Sequence, residues 1–319
     1  MDVIRDLEQL DGRGVAGPHA VTIGAYDGVH LGHQSVIRTT QERAAALGCR
    51  MAVVTFDPHP AQLVRPENAP LMLTTIEQRL ELLEALGVDT TVVVRFDEAR
   101  AAETPDEFTQ AVLVDALDAK AVVVGHDFHF GRNRSGNVEV LQALGEELGF
   151  EVDGLELVPR SDGKDEAVSS TAIRRALAGG EVRQAARMLG RPHELRGPVT
   201  GGDQRGRTIG FPTANVAIHP TMAMPADAVY AAWYLRPDGS RHPAAINIGK
   251  RPTFYRDAEH SLLEAHLIGF SGDLYGEEGT VQFIELLRSE QRFDGLDALK
   301  SQLALDIERA SEILAGEAG

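Results

Sequence analysis

The chain has 319 residues, 48 acidic against 31 basic side chains, a formal net charge of -17 and one cysteine, Cys49. That length suits two domains, or one large one, each able to bury a core. The acidic balance disfavours nonspecific nucleic-acid binding, the lone cysteine cannot form an internal disulfide, and no apolar run is long enough to span a membrane. The N-terminal MDVIRDLEQL has neither a basic start nor a long apolar core, so the expected location is the reducing cytoplasm, without membrane or nucleic-acid partners. Self-association is left open.

The first informative stretch is VTIGAYDGVHLGH, residues 21–33. An apolar run ends at Gly24, an acidic turn follows at Asp27-Gly28, and His30 and His33 stand three apart. Val36, Ile37, Ala44 and Leu47 then recur at helical spacing, which predicts a strand, a turn and a helix N-terminus. Such a junction suits phosphate: glycine admits close approach, the helix start offers unpaired N–H groups, and imidazoles donate hydrogen bonds. A lone histidine there would more often be structural. The coincidence of Gly24, Asp27, Gly28, Gly32 and the HxGH spacing favours a site.

Three β-branched runs follow, MAVVTF at 51–56, TVVVRF at 91–96 and AVVVG at 121–125, of the kind found in strands buried on both faces. Between them, Ile76, Leu80, Leu83 and Leu86 form one helical stripe, and the segment 104–117 forms another. Alternating strand and helix predicts a parallel α/β sheet with ligands at the carboxyl ends of its strands. Polar clusters do follow the strands: Tyr26-Asp27-Gly28, Asp57-Pro58-His59-Pro60, and GHDFHFGRNRSGN at 125–137. A helix with Val138, Leu141, Leu144 and Leu148 leads to a strand within 150–158. Ser169, Ser170 and Thr171 then precede Ile173-Arg174-Arg175. One hydroxyl is explained as an N-cap worth about 1 kcal/mol. Three of them before a basic turn suit a polyphosphate, with Arg174 as clamp.

The pattern changes after Gly179-Gly180, and a domain boundary is expected near residue 183, giving domains 1–183 and 184–319. A short helix over 182–189 is followed by strands at 229–235, 244–249 and 280–283, of a length suited to a small antiparallel barrel or sandwich. Leu296, Leu299, Leu303 and Ile307 mark a closing helix. Within GPVTGGDQRGRTIGFPTANV, residues 197–216, Thr213 and Asn215 present oxygens on one side of an extended chain, as magnesium ligation requires. No GxxxxGK[ST] occurs, so a phosphoryl-transfer site here is not a P-loop.

GAYDGVHLGH, TFDPHP, GHDFHFGRNRSGN and SSTAIR, in that order, resemble the adenylyltransferase half of the bacterial bifunctional riboflavin kinase/FAD synthetases, members of the HxGH nucleotidyltransferase superfamily. FPTAN, INIGKRPTF at 246–254, LLEAHLIGFSGDLYG at 262–276 and LLRSEQRFDGLDALKSQLALD at 286–306 resemble the riboflavin kinase half. The resemblance implies a Rossmann-like α/β domain followed by a small β-barrel with a C-terminal helix. It implies ATP, Mg2+ and the flavins riboflavin, FMN and FAD as substrates, cofactor and products. In the first half, His30 and His33 would stabilise charge on the α-phosphate, Gly24, Asp27 and Gly28 would bind ATP, and Ser170, Thr171 and Arg174 would hold pyrophosphate. Asp57, Asp127, Phe128 and Phe130 would lie on the flavin side, Asp127 near the nucleotide or its magnesium. In the second, Gly202, Arg207, Gly210 and Pro212 would cover ATP, Thr213 and Asn215 would bind its magnesium, and Glu264 would be the base. Arg288, Glu290 and Phe293 would face the flavin.

The chain departs from the resemblance at Tyr26, where phenylalanine is usual, and at Ala167, where some members have arginine. Leu263 stands where a hydroxyl residue is common, Ala228 where glycine is usual and Lys250 where threonine is frequent. Three other readings compete on sequence: one working half only; an HxGH enzyme acting on pantetheine phosphate or a nicotinate nucleotide, against which FPTAN and the second half argue; and a flavin-binding regulator without turnover, against which the intact His30, His33, Thr213, Asn215 and Glu264 argue.

Overall fold

A computed structural model describes residues 1–10, 12–163, 165–201, 209–249 and 261–317. Contacts divide the chain into two compact units. The first comprises Met1–Pro70 with Thr75–Ser169, and the second Leu71–Thr74 with Ser170–Gly319.

In the first unit, β1 (Asp2–Arg5), β2 (His19–Ile23), β3 (Arg50–Asp57), β4 (Thr90–Arg95), β5 (Ala119–Gly125) and β6 (Glu151–Leu155) form a parallel sheet in the order β1-β4-β3-β2-β5-β6. The β-branched runs became strands because both sheet faces are covered: Val53, Val54, Val92, Val122 and Val123 are wholly buried. The helices are α1 (Leu31–Leu47), α2 (Pro60–Val64), α3 (Ile76–Ala85), α4 (Glu98–Ala102), α5 (Pro105–Phe108) and α6 (Val138–Leu148). The expected helix at 104–117 is present in two parts, since α5 widens into a π-helical segment, Thr109–Ala116. Helix α1 begins at Leu31, inside the HxGH motif. Strand β1 carries no expectation from the sequence: its four residues are mostly exposed, so no alternation marks it.

The order reverses between β2 and β5, where crossovers leave in opposite directions. In open α/β sheets the crevice at the carboxyl ends of such a strand pair is the ligand position. The glycine-rich turn after β2 and the GHDFHF turn after β5 both lie there.

In the second unit, α7 (Ser170–Ala178) and α8 (Val182–Leu189) precede a closed antiparallel barrel. Its strands are β7 (His193–Thr200), β8 (Ala214–Val216), β9 (Ala228–Leu235), β10 (Arg241–Gly249), β11 (Leu262–Leu267) and β12 (Glu278–Ser289), in the order β10-β11-β8-β7-β12-β9. Closure decides between the barrel and the sandwich that the sequence left open. Alternation sorts the strand faces: Leu263, Ala265 and Leu267 are buried, while Glu264 and His266 between them are partly exposed.

A final helix, α9 (Leu296–Gly316), lies against the barrel, burying Ala310 and Leu314 against Ala231, Trp233, Ala245 and Ile284. Ile307 of the expected stripe packs against this cluster together with Ile313, while Leu296 at the start of the helix is 52% exposed. Segment Leu71–Thr74 joins this unit through Met72, whose N–H donates to the Thr221 carbonyl at 2.6 Å and whose carbonyl accepts from Ala223 N at 2.8 Å.

Candidate active sites

The first candidate site grows from the turn after β2. Gly28 has φ 85°, a left-handed conformation that glycine adopts without a Cβ penalty. Tyr26 and Val29 also have positive φ, 50° and 40°, and a β-branched residue there is strained unless its surroundings hold it. They do hold it: Val29 N donates to the Tyr26 carbonyl at 3.1 Å, Thr55 Oγ1 donates to the Ala25 carbonyl at 3.1 Å, and Gly24 N to the Val54 carbonyl at 3.0 Å. The Tyr26 ring is buried, with its hydroxyl 2.6 Å from Thr22 Oγ1, so the extra oxygen relative to phenylalanine has a partner. Burial raises the Tyr26 pKa well above the usual phenol range, and the hydroxyl stays neutral.

His30 caps α1 in extended conformation, its Nδ1 accepting from His33 N at 3.3 Å. The two imidazoles stack, centroids 3.6 Å apart and planes 16° from parallel, and the Tyr26 ring lies 4.9 Å from His33. The motif's glycine follows from this stack, because a Cβ on Gly32 would stand 3.0 Å from His30 Cε1. His33 is held well below the ordinary imidazole value of 6.5, first by burial, then by the charges of His30 and Arg79. It is therefore a neutral hydrogen-bonding ring at neutral pH. Asp27 is buried beside the turn.

At the ends of the neighbouring strands, Asp57 and Asp127 are exposed, and Asp127 Oδ1 sits where a Cβ on Gly125 would approach to 3.0 Å. Phe128 and Phe130 stack at 5.3 Å, but unequally: Phe130 belongs to the core beside Phe108, and Phe128 above it is only partly buried. In the second unit, Ser170 and Thr171 form the first turn of α7, and Arg174 follows at i+4 and i+3, on the same helix face. Arg174 Nε donates to the Leu71 carbonyl at 2.5 Å.

The second candidate site is a row on the barrel's outer face. Asn215 on β8 is paired in register with Glu264 on β11, which is paired in turn with Asn247 on β10; Thr200 on β7 completes the row beyond Asn215. Directly paired residues share a face, so four polar side chains stand side by side. Asn215 Oδ1 is buried and has no hydrogen-bond partner among the described residues. A buried unpaired oxygen costs about 1–3 kcal/mol, which a ligand would recover. His266, two residues beyond Glu264, uses Nδ1 on the Pro212 carbonyl at 2.8 Å, pinning the FPTAN segment. Thr213 is exposed, and Gly210 has φ 92°. Gly202, Arg207 and Lys250 lie outside the described residues.

Arg288 on β12 donates from Nε and Nη2 to the Asp306 carboxylate on α9, at 2.8–3.0 Å, with Gln302 adding a bond to Asp306 at 2.9 Å. Its Cζ lies 5.6 Å from the Phe293 ring centre. Glu290 Oε1 lies over Gly249, and a side chain at Gly249 would have to displace it. Sequence reasoning did not single out Arg79, Asn247, His266 or Asp306. The alternation of Glu264 with His266 was a signal for one of them; Arg79 and Asp306 are polar residues within apolar helical stripes, and nothing local sets them apart.

A parallel sheet with an HxGH turn at its switch point, followed by a six-stranded barrel with PTAN leading into a strand, defines a two-domain flavin nucleotide transferase. The FAD synthetase family model matches residues 14–172 and the riboflavin kinase model residues 189–314. Proteins described as bifunctional riboflavin kinase/FMN adenylyltransferase are similar along nearly their whole length. That of Haemophilus influenzae is 39% identical over 91% of this chain and 92% of its own, and that of Escherichia coli 38% over 96% of each. A crystal structure described as a macrolide-efflux protein from Streptococcus pneumoniae has the same fold, with TM-score 0.87 and 32% identity over 98% of this chain and 99% of that one. Its description as an efflux protein belongs to that protein; among the described residues here no helix is long and apolar enough to cross a membrane.

The chain belongs to the bifunctional riboflavin kinase/FMN adenylyltransferase family. It phosphorylates riboflavin to FMN at the expense of ATP, then adenylylates FMN to FAD with release of pyrophosphate.

Proposed function

We propose that residues 1–183 carry the adenylyl transfer and residues 184–319 the kinase reaction, with the roles divided as follows. In adenylyl transfer, an FMN phosphate oxygen attacks the ATP α-phosphorus and the bond to the bridging oxygen of pyrophosphate breaks. FMN supplies its own nucleophile, so the protein aligns two polyanions and spreads charge. His30 and His33 hydrogen-bond the α-phosphate oxygens, and Gly24, Asp27 and Gly28 shape the nucleotide's seat. Ser170, Thr171 and Arg174 receive pyrophosphate, while Asp57, Asp127, Phe128 and Phe130 form the flavin side. The stacked imidazole pair at the strand-order reversal supports this reading.

In the kinase reaction, Glu264 takes the proton of the riboflavin 5'-hydroxyl as that oxygen attacks the γ-phosphorus and ADP leaves. Gly202, Arg207, Gly210 and Pro212 enclose ATP; Arg288, Glu290 and Phe293 serve the flavin, Arg288 with Asp306 fixing its plane. Thr213 and Asn215 would hold magnesium, a cation of oxygen ligands, and the unpartnered Oδ1 of Asn215 beside a carboxylate fits that donor set. Magnesium, when bound, neutralises part of the phosphate charge.

The protein acts in the cytoplasm on small molecules, without nucleic acid, and self-association is compatible with this division. The observation that carries the proposal is the Asn215–Glu264–Asn247 row, in which Glu264 and Asn215 are direct cross-strand neighbours. Incubation with riboflavin, ATP and magnesium, with FMN and FAD followed separately by chromatography, tests it. FMN should appear first and FAD after it, and omission of magnesium should stop both; sustained turnover after chelation would sink the metal assignment.

A further inference from the structure

Arg79 occupies a position that ordinary folding energetics disfavours. It lies in the first turn of α3, where the helix dipole opposes a cation, and it is 3% exposed. The turn itself needs no arginine, because Thr75 and Gln78 already form a reciprocal cap. Its guanidinium Nη1 donates to Thr55 Oγ1 and to the Phe56 carbonyl, both at 3.1 Å, at the carboxyl end of β3. Thr55 Oγ1 in turn donates to the Ala25 carbonyl at 3.1 Å, inside the strained turn that leads to His30. Burial lowers the guanidinium's pKa, and the carboxylates of Asp27, Asp57 and Glu77 oppose that fall. The positive charge of Arg79 also lowers the pKa of the His33 ring.

We propose that Arg79 is a positioning residue for adenylyl transfer, which through Thr55 fixes the backbone of the turn at Ala25 and so the placement of the His30–His33 pair. The proposal rests on the reading that this pair serves the α-phosphate. Arg79 is too buried to meet substrate; it acts on the geometry of groups that do. A misplacement of about 1 Å costs on the order of a hundredfold in rate, so a rigid turn matters to catalysis.

The test uses the full chain with Arg79→Met, Arg79→Lys, Thr55→Val and His33→Ala, measuring FAD formation from supplied FMN and ATP, with kinase turnover and thermal unfolding of the same preparations alongside. Arg79→Met is expected to lower kcat for FAD by about thirtyfold or more while KM for FMN and ATP moves by less than about threefold. Arg79→Lys should recover at least about fivefold of that loss, and Thr55→Val should lower kcat in the same direction. Wild-type kcat in folded Arg79→Met, or a lysine variant no better than methionine, overturns the proposal. Should Arg79→Met fail to fold, unchanged kcat in folded Thr55→Val overturns it. If His33→Ala also leaves FAD formation intact, the underlying site reading fails; if it abolishes FAD formation while Arg79→Met does not affect it, only the Arg79 inference fails.

Discussion

His30 and His33 are stacked ring on ring at 3.6 Å, and the backbone N–H of the second donates to Nδ1 of the first. The pair is a preformed donor surface. Replacing both by alanine is expected to cut FAD formation from FMN by at least about 10²–10³-fold, the range for one lost oxyanion-type donor, and to leave FMN formation from riboflavin intact. Chromatographic assay of each step decides; parallel loss of both activities in folded protein would refute the two-site division.

Gly32 should be intolerant of a single methyl group. Its added Cβ would press the His30 ring at 3.0–3.1 Å, so Gly32→Ala is expected to push that imidazole off its stack by a few tenths of an ångström. The expected outcome is a loss of about tenfold or more in FAD synthesis with kinase turnover unchanged.

Glu264→Gln preserves the shape of the polar row and removes the base. Riboflavin phosphorylation is expected to fall by about 10²–10⁴-fold, while FAD formation from supplied FMN continues. A glutamine variant that phosphorylates at the wild-type rate would return Glu264 to the status of a surface carboxylate.

Asp306 and Arg288 are 5% and 18% exposed at their side chains and share two or more hydrogen bonds. Removing Asp306 leaves Arg288, mostly buried, with the Ser289 carbonyl as its remaining partner, at a cost approaching the roughly 3–5 kcal/mol of a broken buried pair. Asp306→Ala should lower the urea midpoint of the barrel accordingly, with Asp306→Asn intermediate. Trp233, the one tryptophan of the chain, packs in the cluster beneath α9 and reports the transition by fluorescence.

Stability should depend on pH through two histidines. His19 and His33 both have folded pKa values below 6.5, in each case first because burial disfavours the charged ring. The unfolded chain therefore binds protons that the folded chain does not, so their contribution is full above the unfolded value and declines as pH falls below it toward the folded values. The thermal midpoint is expected to drop between about pH 6.5 and about pH 5. His19→Asn, which keeps a donor for the Leu117 carbonyl now 2.8 Å from Nδ1, should flatten part of that slope. A level midpoint through this window in the wild type would contradict the shifts.

The sheet could be read from the chain because its strands are buried on both faces, and Val92–Val94 or Val122–Val124 leave no other economical element. The HxGH turn was readable because His30, Gly32 and His33 interact with one another within four residues. Strand β1 was not, because its pairing with β4 is the work of backbone bonds across some 88 residues, Asp2 lying opposite Thr90. Closure of the barrel likewise depends on pairings such as β12 with β9 and β8 with β11, which no local pattern specifies. The closing helix was legible from its apolar spacing, and Ile307 does pack on the barrel cluster, but that spacing did not show the burial of Ala310 and the ion-paired Asp306, which carry little apolar signal. Arg79 stayed hidden for the same reason: its partners Thr55 and Phe56 are brought to it only by the fold.

The four residues Leu71–Thr74 are grouped with the barrel unit although they interrupt the sequence of the sheet unit. The polypeptide accordingly passes from one unit to the other three times, at 70/71, 74/75 and 169/170. No single scission yields two intact halves. A kinase fragment begun at any point after Ser169 forfeits the Met72 bonds to Thr221 and Ala223, and a sheet fragment ended there keeps a stub whose partners are gone. Gene fusion or fission at this junction would therefore have to carry the stub's replacement with it, a constraint of threading that holds whatever chemistry the two units perform.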